Sequence, residues 1–497
     1  MAMSAHRLFA GLDLRLPTAF VGLLLLITSA SPAFAQPGLA TSGPMACVER
    51  AKTVFVLSRP LTSVERRLIF EAIQAGEEAP SASFDDKTLA ATVLRYAHTE
   101  LGQRVRPSRV DPIWAIEPAP YDVASEFEAA LTSGRLNEWL ENLRVPHTGY
   151  RQLAAERCRY LSIIAAGGWR ELAQGPPLKE GVESPLSGQL RDRLAQEGYV
   201  LASSNTPNRF DEELVRALKL FQQRHGLLVD GALGRQTRDA LNVSAEARTG
   251  QIEANLERWR WLPHSLPSRR IEVDVAGAEA TLFDGGAPTL HMRVVVGDPR
   301  HKTPMFATQV EAVVFNPPWN VPSSIARQEI LPRAARDPAY LARNGFDNRD
   351  GRLIQRPGPA NALGRLKFDF PSPFGVYLHD TPSRAAFTRS LRALSHGCVR
   401  LEKPRELAQA LLAAQGWTLA TIDAAIEAGT TRRIAVQVPI PLYLIYRTAF
   451  IDAAGDLNFR PDIYAWDAKL LSALAPVAAG STGEARLESE CSATVGH

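Results

Sequence analysis

The spacing of apolar positions changes character along the chain. Residues 62–76 and 86–103 place apolar side chains at helical intervals, and the first run opens on Thr62-Ser63-Val64-Glu65, a capping-box pattern. Residues 36–60 read as irregular, with a short strand at Phe55-Val56-Leu57. The Pro-rich stretch from Arg106 to Pro120 reads as loop, and residues 122–143 as one helix. The run VPHTGY breaks the pattern before a further helix that starts near Tyr150. Residues 36–183 are therefore expected to be mostly helical.

Residues 184–242 form a second unit. Two helical runs end at Gly198 and Gly226, where a residue without a Cβ stops a helix at little cost. Leu214, Ala217, Leu218 and Phe221 share one face of the second run. Asp230-Gly231 is a turn signal, and a short helix follows Gly234. Residues 251–262 read as a Trp- and Arg-rich helix. Its Leu256, Trp259 and Leu262 are expected to pack, with Glu and Arg paired on the exposed side. From residue 271 the period becomes that of strands: IEVDVAG, EATLFDGG, TLHMRVVVGD and QVEAVVFNPP. Residues 320–361 interrupt this with charges, helix and turns, and read as an inserted lid. Strands resume at LKFDF, GVYLHD and RRIAVQVPIPLYLIYRTAFID, with a helix over 404–415 that starts at Pro404.

Composition adds limits. With 497 residues, 45% hydrophobic and 22% charged, the chain is ordinary globular material for several domains. A formal net charge of +3, with no Lys/Arg block, gives no ground for a nucleic-acid partner. His6, Arg7 and Arg15 precede an apolar run from Ala19 to Ala30, and Ala33-Phe34-Ala35 follows as a small-x-small cleavage site. Residues 1–35 thus read as a secretory signal peptide, which places the body of the protein in the periplasm; left uncleaved, the run would tether it to the inner membrane. Residues 476–497 read as a disordered tail. The four cysteines are Cys47, Cys158, Cys398 and Cys491. If Cys398 is a working thiol, at most one disulfide remains, with Cys47–Cys158 a candidate pair.

The chemistry concentrates in GVYLHD…SHGCVRL. His379 ends a predicted strand, and Cys398 lies nineteen residues on, within Ser395-His396-Gly397-Cys398-Val399-Arg400. A nearby imidazole can take the thiol proton, Gly397 lets backbone approach a substrate, and amides there can bind an oxyanion. Tyr377 alternates with His379 and so shares its side of the strand. Taken singly, such a cysteine is ordinary packing and such a histidine an ordinary hydrogen-bonding group. Two histidines and a cysteine also suit zinc, although no HExxH accompanies them. On the residues alone these readings stay open.

The block His379-Asp380-Thr381-Pro382 … Ser395-His396-Gly397-Cys398-Val399-Arg400 resembles the signature of L,D-transpeptidase (YkuD-type) catalytic domains. Further matches are Asn255-Leu256-Glu257-Arg258-Trp259-Arg260-Trp261, Asn316-Pro317-Pro318-Trp319-Asn320-Val321-Pro322, Asn361 to Phe368, and Tyr446-Arg447-Thr448-Ala449-Phe450. Residues 184–242 resemble the type 1 peptidoglycan-binding domain on Leu190, Arg193, Leu194, Gly198, Phe221, Gln222, His225-Gly226-Leu227 and Asp230-Gly231. That unit would bind glycan or act as a spacer.

The order is similar to the large Gram-negative subgroup. It implies a multidomain chain: a helical scaffold over 36–183, the small three-helix module, and a mostly β catalytic domain over 251–475 with its lid at 320–361. The resemblance implies Cys398 as nucleophile and His379 as base, held by a backbone carbonyl such as that of Asp380. His396 would help orient the site, and the amides of Gly397 and Cys398 would be oxyanion donors. Arg400, Tyr377, Ser395, Asp380 and Trp319 would line the substrate. Partners would be tetrapeptide stems and glycan strands, with carbapenems as acylating inhibitors and no metal or cofactor. The implied reaction is 3→3 cross-linking. L,D-carboxypeptidase or another cysteine hydrolase activity is the rival, and lipoprotein attachment or a catalytically dead wall-binding scaffold are further alternatives.

Overall fold

Each change of period becomes a change of layer. A computed structural model describes residues 57–74, 84–199 and 205–478, all inside one compact unit of the chain. The expectations for residues 1–35, Cys47 and its pairing with Cys158, most of Phe55-Val56-Leu57, and Cys491 in the tail lie outside the described residues.

The helical part comprises α1 (Ser63–Gln74), α2 (Asp86–Glu100), α3 (Pro107–Val110), α4 (Val123–Thr132), α5 (Leu136–Leu143) and α6 (Thr148–Ala165). The capping box at Thr62 forms: Glu65 N–H donates to Thr62 Oγ1, and Glu65 accepts from Thr62 N–H at 2.7 Å. The single helix expected over 122–143 is two. The chain turns at Gly134, whose φ of +69° suits glycine, and α4 and α5 then bury Phe127 and Trp139 against each other. The Pro-rich stretch is not plain loop. Pro107 opens α3, and β1 (Trp114–Ala115) joins the edge of the main sheet with Trp114 fully buried against Trp466.

Helices α7 (Pro185–Gln196), α8 (Glu212–Arg224) and α9 (Arg235–Leu241) enclose a separate small core of Leu190, Leu194, Leu214, Leu218, Phe221 and Leu241. The next helix, α10 (Ala245–Arg260), starts earlier than its apolar pattern suggested because Ser244 caps it, accepting from Ala247 N–H. Its charges also run against expectation: Glu257, Arg258 and Arg260 are buried rather than exposed. Arg258 pairs with Asp467 at 2.6 Å, Arg260 with Glu100 at 3.2 Å, and Asn255 bonds Thr448. The helix is a post between the scaffold and the sheet, so its polar side chains are paired instead of solvated.

The sheet is built from β2 (Arg270–Asp274), β3 (Glu279–Asp284), β4 (Ala287–Gly297) and β5 (Met305–Phe315) before the lid. Within the lid lie β6 (Trp319–Asn320), α11 (Ser323–Ile325), a π-helical turn (Ala326–Ile330), α12 (Leu331–Arg336), α13 (Tyr340–Arg343), β7 (Phe346–Arg349) and β8 (Arg352–Gln355). After it come β9 (Leu366–Asp369), β10 (Leu378–His379), β11 (Ala393–Ser395), β12 (Val399–Leu401), α14 (Pro404–Leu412), α15 (Leu419–Glu427), β13 (Arg432–Ile445), β14 (Ala449–Ile451), β15 (Leu457–Phe459) and α16 (Trp466–Ala478). The pairing order β5-β13-β2-β3-β4-β12-β10-β9 returns to β5, which pairs with β9, so the strands close on themselves. Phe315, Phe368, Leu378, Val313 and Leu401 fill the interior with no exposure, each contributing about 1.5–3 kcal/mol of burial.

The lid carries its own small core of Ala326, Ile330 and Leu353, packed by Trp319 and Phe346. Its two stems are tied at the base. The Asn361 amide donates to the carbonyls of Pro317, Gln355 and Arg356 at 3.0–3.2 Å.

Candidate active site

The strand pair β10 and β12 positions the chemistry. They run parallel, with Leu378 opposite Val399 and His379 opposite Arg400. Leu378 and Val399 point into the core, so strand alternation turns Tyr377, His379, Cys398 and Arg400 to the opposite face. The four side chains that matter are thus displayed together by two short strands and one turn. Gly397 makes that turn with φ of +104°, a conformation that strains any side-chain-bearing residue.

The Cys398 loop is clamped from behind. Ser395 Oγ accepts from Gly397 N–H at 3.1 Å and donates to Cys398 O at 2.6 Å. Thr303 Oγ1 donates to Gly397 O at 2.8 Å, and Tyr464 OH donates to Gly297 O at 2.6 Å. Gly297 has to be glycine on steric grounds: a Cβ there would stand 1.9 Å from His301 O and 3.0 Å from Gly397 Cα.

His379 is buried, with Nδ1 2.5 Å from the carbonyl of Asp380. A carbonyl only accepts, so the ring proton sits on Nδ1 and Nε2 keeps the free lone pair. Burial, then the nearby Arg400 charge, pulls the imidazole down to about 3, so it is neutral at rest. Burial pushes the half-buried Cys398 thiol up, opposed by hydrogen bonds from Tyr377 and by the charge of Arg400. The resting pair is therefore thiol and neutral imidazole, not a preformed ion pair. Arg400 is itself mostly buried beside Cys398, and its Nε has no hydrogen-bond partner among the described residues. The Tyr377 ring stands edge-on to His379 at 5.7 Å, and its hydroxyl lies close to Cys398 and to the Trp319 side chain.

Residues 268–434 match the family model described as the L,D-transpeptidase catalytic domain, and they contain this whole constellation. They are an L,D-transpeptidase domain. Residues 184–241 match a model described as "Putative peptidoglycan binding domain", and residues 66–156 one described as "Scaffold domain". A Haemophilus influenzae protein named "Putative L,D-transpeptidase" is 31% identical over 242 residues, 45% of this chain and 49% of that one. The chain therefore spans about half the length of this curated relative. Solved L,D-transpeptidases from Mycobacterium smegmatis and Stackebrandtia nassauensis align at 16% and 14% identity with TM-scores of 0.20 and 0.23. The first alignment covers 36% of this chain and 58% of that structure, the second 55% and 97%. Scores this low add nothing to the fold described above.

Within the L,D-transpeptidase domain, Cys398, His379, Tyr377, Arg400 and Trp319 come together. Three expectations need correction. The Ser395 hydroxyl is buried and spent on Gly397 N–H and Cys398 O, so it shapes the loop and is not presented to substrate. The Gly397 amide is engaged by that same hydroxyl, so of the two amides expected to bind an oxyanion it is that of Cys398 that has no acceptor among the described residues. The Asp380 carboxylate is also internal. It accepts from Arg365 N–H and Arg384 at 2.8 Å each, while its main-chain carbonyl holds His379. His396 is half exposed, with Nε2 2.6 Å from Glu329 of the lid. Sequence reasoning missed Glu329. Its only sequence signal is one charge among many in the insertion. Among the described residues no group of three or more His, Cys, Asp or Glu side chains is placed to hold a metal ion.

Proposed function

We propose that this protein is an exported L,D-transpeptidase that forms 3→3 cross-links in peptidoglycan through a Cys398 thioester. The observation that carries the reading is the single face shared by Cys398, neutral His379 and Arg400 beneath a lid. His379 Nε2 takes the thiol proton as sulfur adds to the carbonyl of the third stem residue, meso-diaminopimelate in most Gram-negative walls. The tetrahedral oxyanion is received by the Cys398 N–H and the Arg400 charge. The C–N bond to the terminal D-Ala then breaks, the imidazolium returns its proton to the leaving amine, and a thioester remains. A neutral side-chain amine of a second stem attacks that thioester and passes its proton to His379. The C–S bond breaks, and the thiolate recovers the proton. Water in place of the amine gives carboxypeptidase activity, and the lid limits it.

The module over 184–242 would hold glycan near the site. A cleft of about 400 Å³ lined by Arg159, Tyr160, Tyr199 and Arg224 opens beside it. The periplasmic address follows from the signal-like N-terminus, and an uncleaved signal would add inner-membrane association.

Carbapenem treatment followed by intact mass measurement tests the nucleophile. One adduct is expected on the wild type and none on Cys398→Ala. An equal adduct on both proteins would remove Cys398 from its role.

A further inference from the structure

The lid does more than cover the site. A π-helical turn at Ala326–Ile330 interrupts its helix between α11 and α12. Such a turn inserts a residue and resets which side chains face which way, and it recurs at functional positions. Here Ala326 and Ile330 stay buried in the lid's own core, while Glu329 is half exposed and extends to His396 Nε2 at 2.6 Å. His396 is backed by His301, ring to ring at 4.7 Å, and His301 is bonded to Asp298 at 3.1 Å. On the same side Arg400 keeps a buried Nε with no partner among the described residues, and Glu329 is close enough to act on its charge. A lid carboxylate is therefore paired with His396, two residues before the nucleophile, and acts on the charge of Arg400, two residues after it.

We infer that Glu329 is an internal stand-in for the carboxylate of the leaving D-Ala, holding the His396–Arg400 subsite until the donor stem displaces it. The inference rests on the transpeptidase reading above. The chemistry selects that carboxylate among those of the stem. It lies on the residue joined directly to the scissile carbonyl, and neighbouring Cα atoms are about 3.8 Å apart, so it must fall beside whatever flanks Cys398. A guanidinium with a free N–H and an imidazole are the partners such a group uses. Glu329 would then set specificity: a donor ending in a free acid can replace it, and a donor ending in an amide cannot. It touches no reacting atom and is a positioning residue.

The test uses the full chain and two tetrapeptide donors, one with a free terminal D-Ala carboxylate and one with that carboxylate amidated. Acylation of Cys398 is followed by intact mass for the wild type, Glu329→Gln and Glu329→Asp. Removing a competitor raises the fraction of competent sites. The gain is largest for the amide donor, which cannot displace Glu329, so Glu329→Gln is expected to lower the acid-to-amide ratio of acylation rates roughly five-fold, and Glu329→Asp to return it toward the wild type. An unchanged ratio, whether both rates fall together or neither moves, overturns the stand-in and leaves Glu329 a lid-packing residue. No acylation of the wild type by either donor sinks the transpeptidase reading itself.

Discussion

Two residues set the chemistry, and their environments push them apart rather than together. Cys398 is raised by burial, and His379 is lowered by burial and by Arg400. The thiol therefore keeps its proton at neutral pH and loses it on titration only above its ordinary value near 9.0. Alkylation of Cys398 by iodoacetamide should climb as pH rises through 9 without a plateau near neutrality; a flat rate from pH 6 upward would mean a preformed thiolate–imidazolium pair. At this scale the sequence told a good deal. Strand alternation put Tyr377 and His379 on one side, and the resemblance carried by the block Ser395–Arg400 added Cys398 and Arg400 to them. Ser395 and Asp380 were misread because a polar side chain in a motif looks the same on paper whether it faces ligand or its own backbone. Their hydrogen bonds point inward, to Gly397, Arg365 and Arg384.

Among the elements, the lid was legible as an interruption of the strand period but not in its aim. Periodicity places helix and turn within 320–361; it says nothing of a π turn, which adds one residue to a helical ring, or of the contact that Glu329 makes from it with His396. The break of the helix over 122–143 at Gly134 and the insertion of Trp114 into the sheet edge have the same origin. Both depend on packing that a local period does not record: Phe127 on Trp139 across the turn at Gly134, and Trp114 on a strand and helix far away in the chain. The lid's fixed base does follow from one residue. Asn361 is fully buried and donates to three carbonyls across both stems. Asn361→Ala leaves those carbonyls unsatisfied and should cost about 2–3 kcal/mol in chemical unfolding. A looser lid admits water, so the ratio of hydrolysis to transfer should rise in product analysis. A variant with normal stability and an unchanged ratio would show that the base does not govern the lid.

At the level of the whole molecule, α10 joins parts that the sequence presents as separate. Its Arg and Glu positions read as a solvated face, yet Arg258 is clasped by Asp467 and lies over the Tyr446 ring at 5.1 Å. Asp467 also accepts from Thr448, which bonds Asn255 in turn. Two stretches that resembled one family at opposite ends of the domain are thus one buried network. Pairing of this kind is invisible to a local pattern. Arg258→Ala strands a buried carboxylate and should destabilise the protein by about 3–5 kcal/mol, read by denaturant unfolding.

The most direct measurement is product analysis by mass spectrometry after the purified protein is incubated with disaccharide-tetrapeptides, with Cys398→Ala as control. The account predicts 3→3 dimers and released D-Ala from the wild type and neither from the variant. Shortened stems without dimers would make the protein a hydrolase, and dimers formed by the variant would contradict the assignment of Cys398.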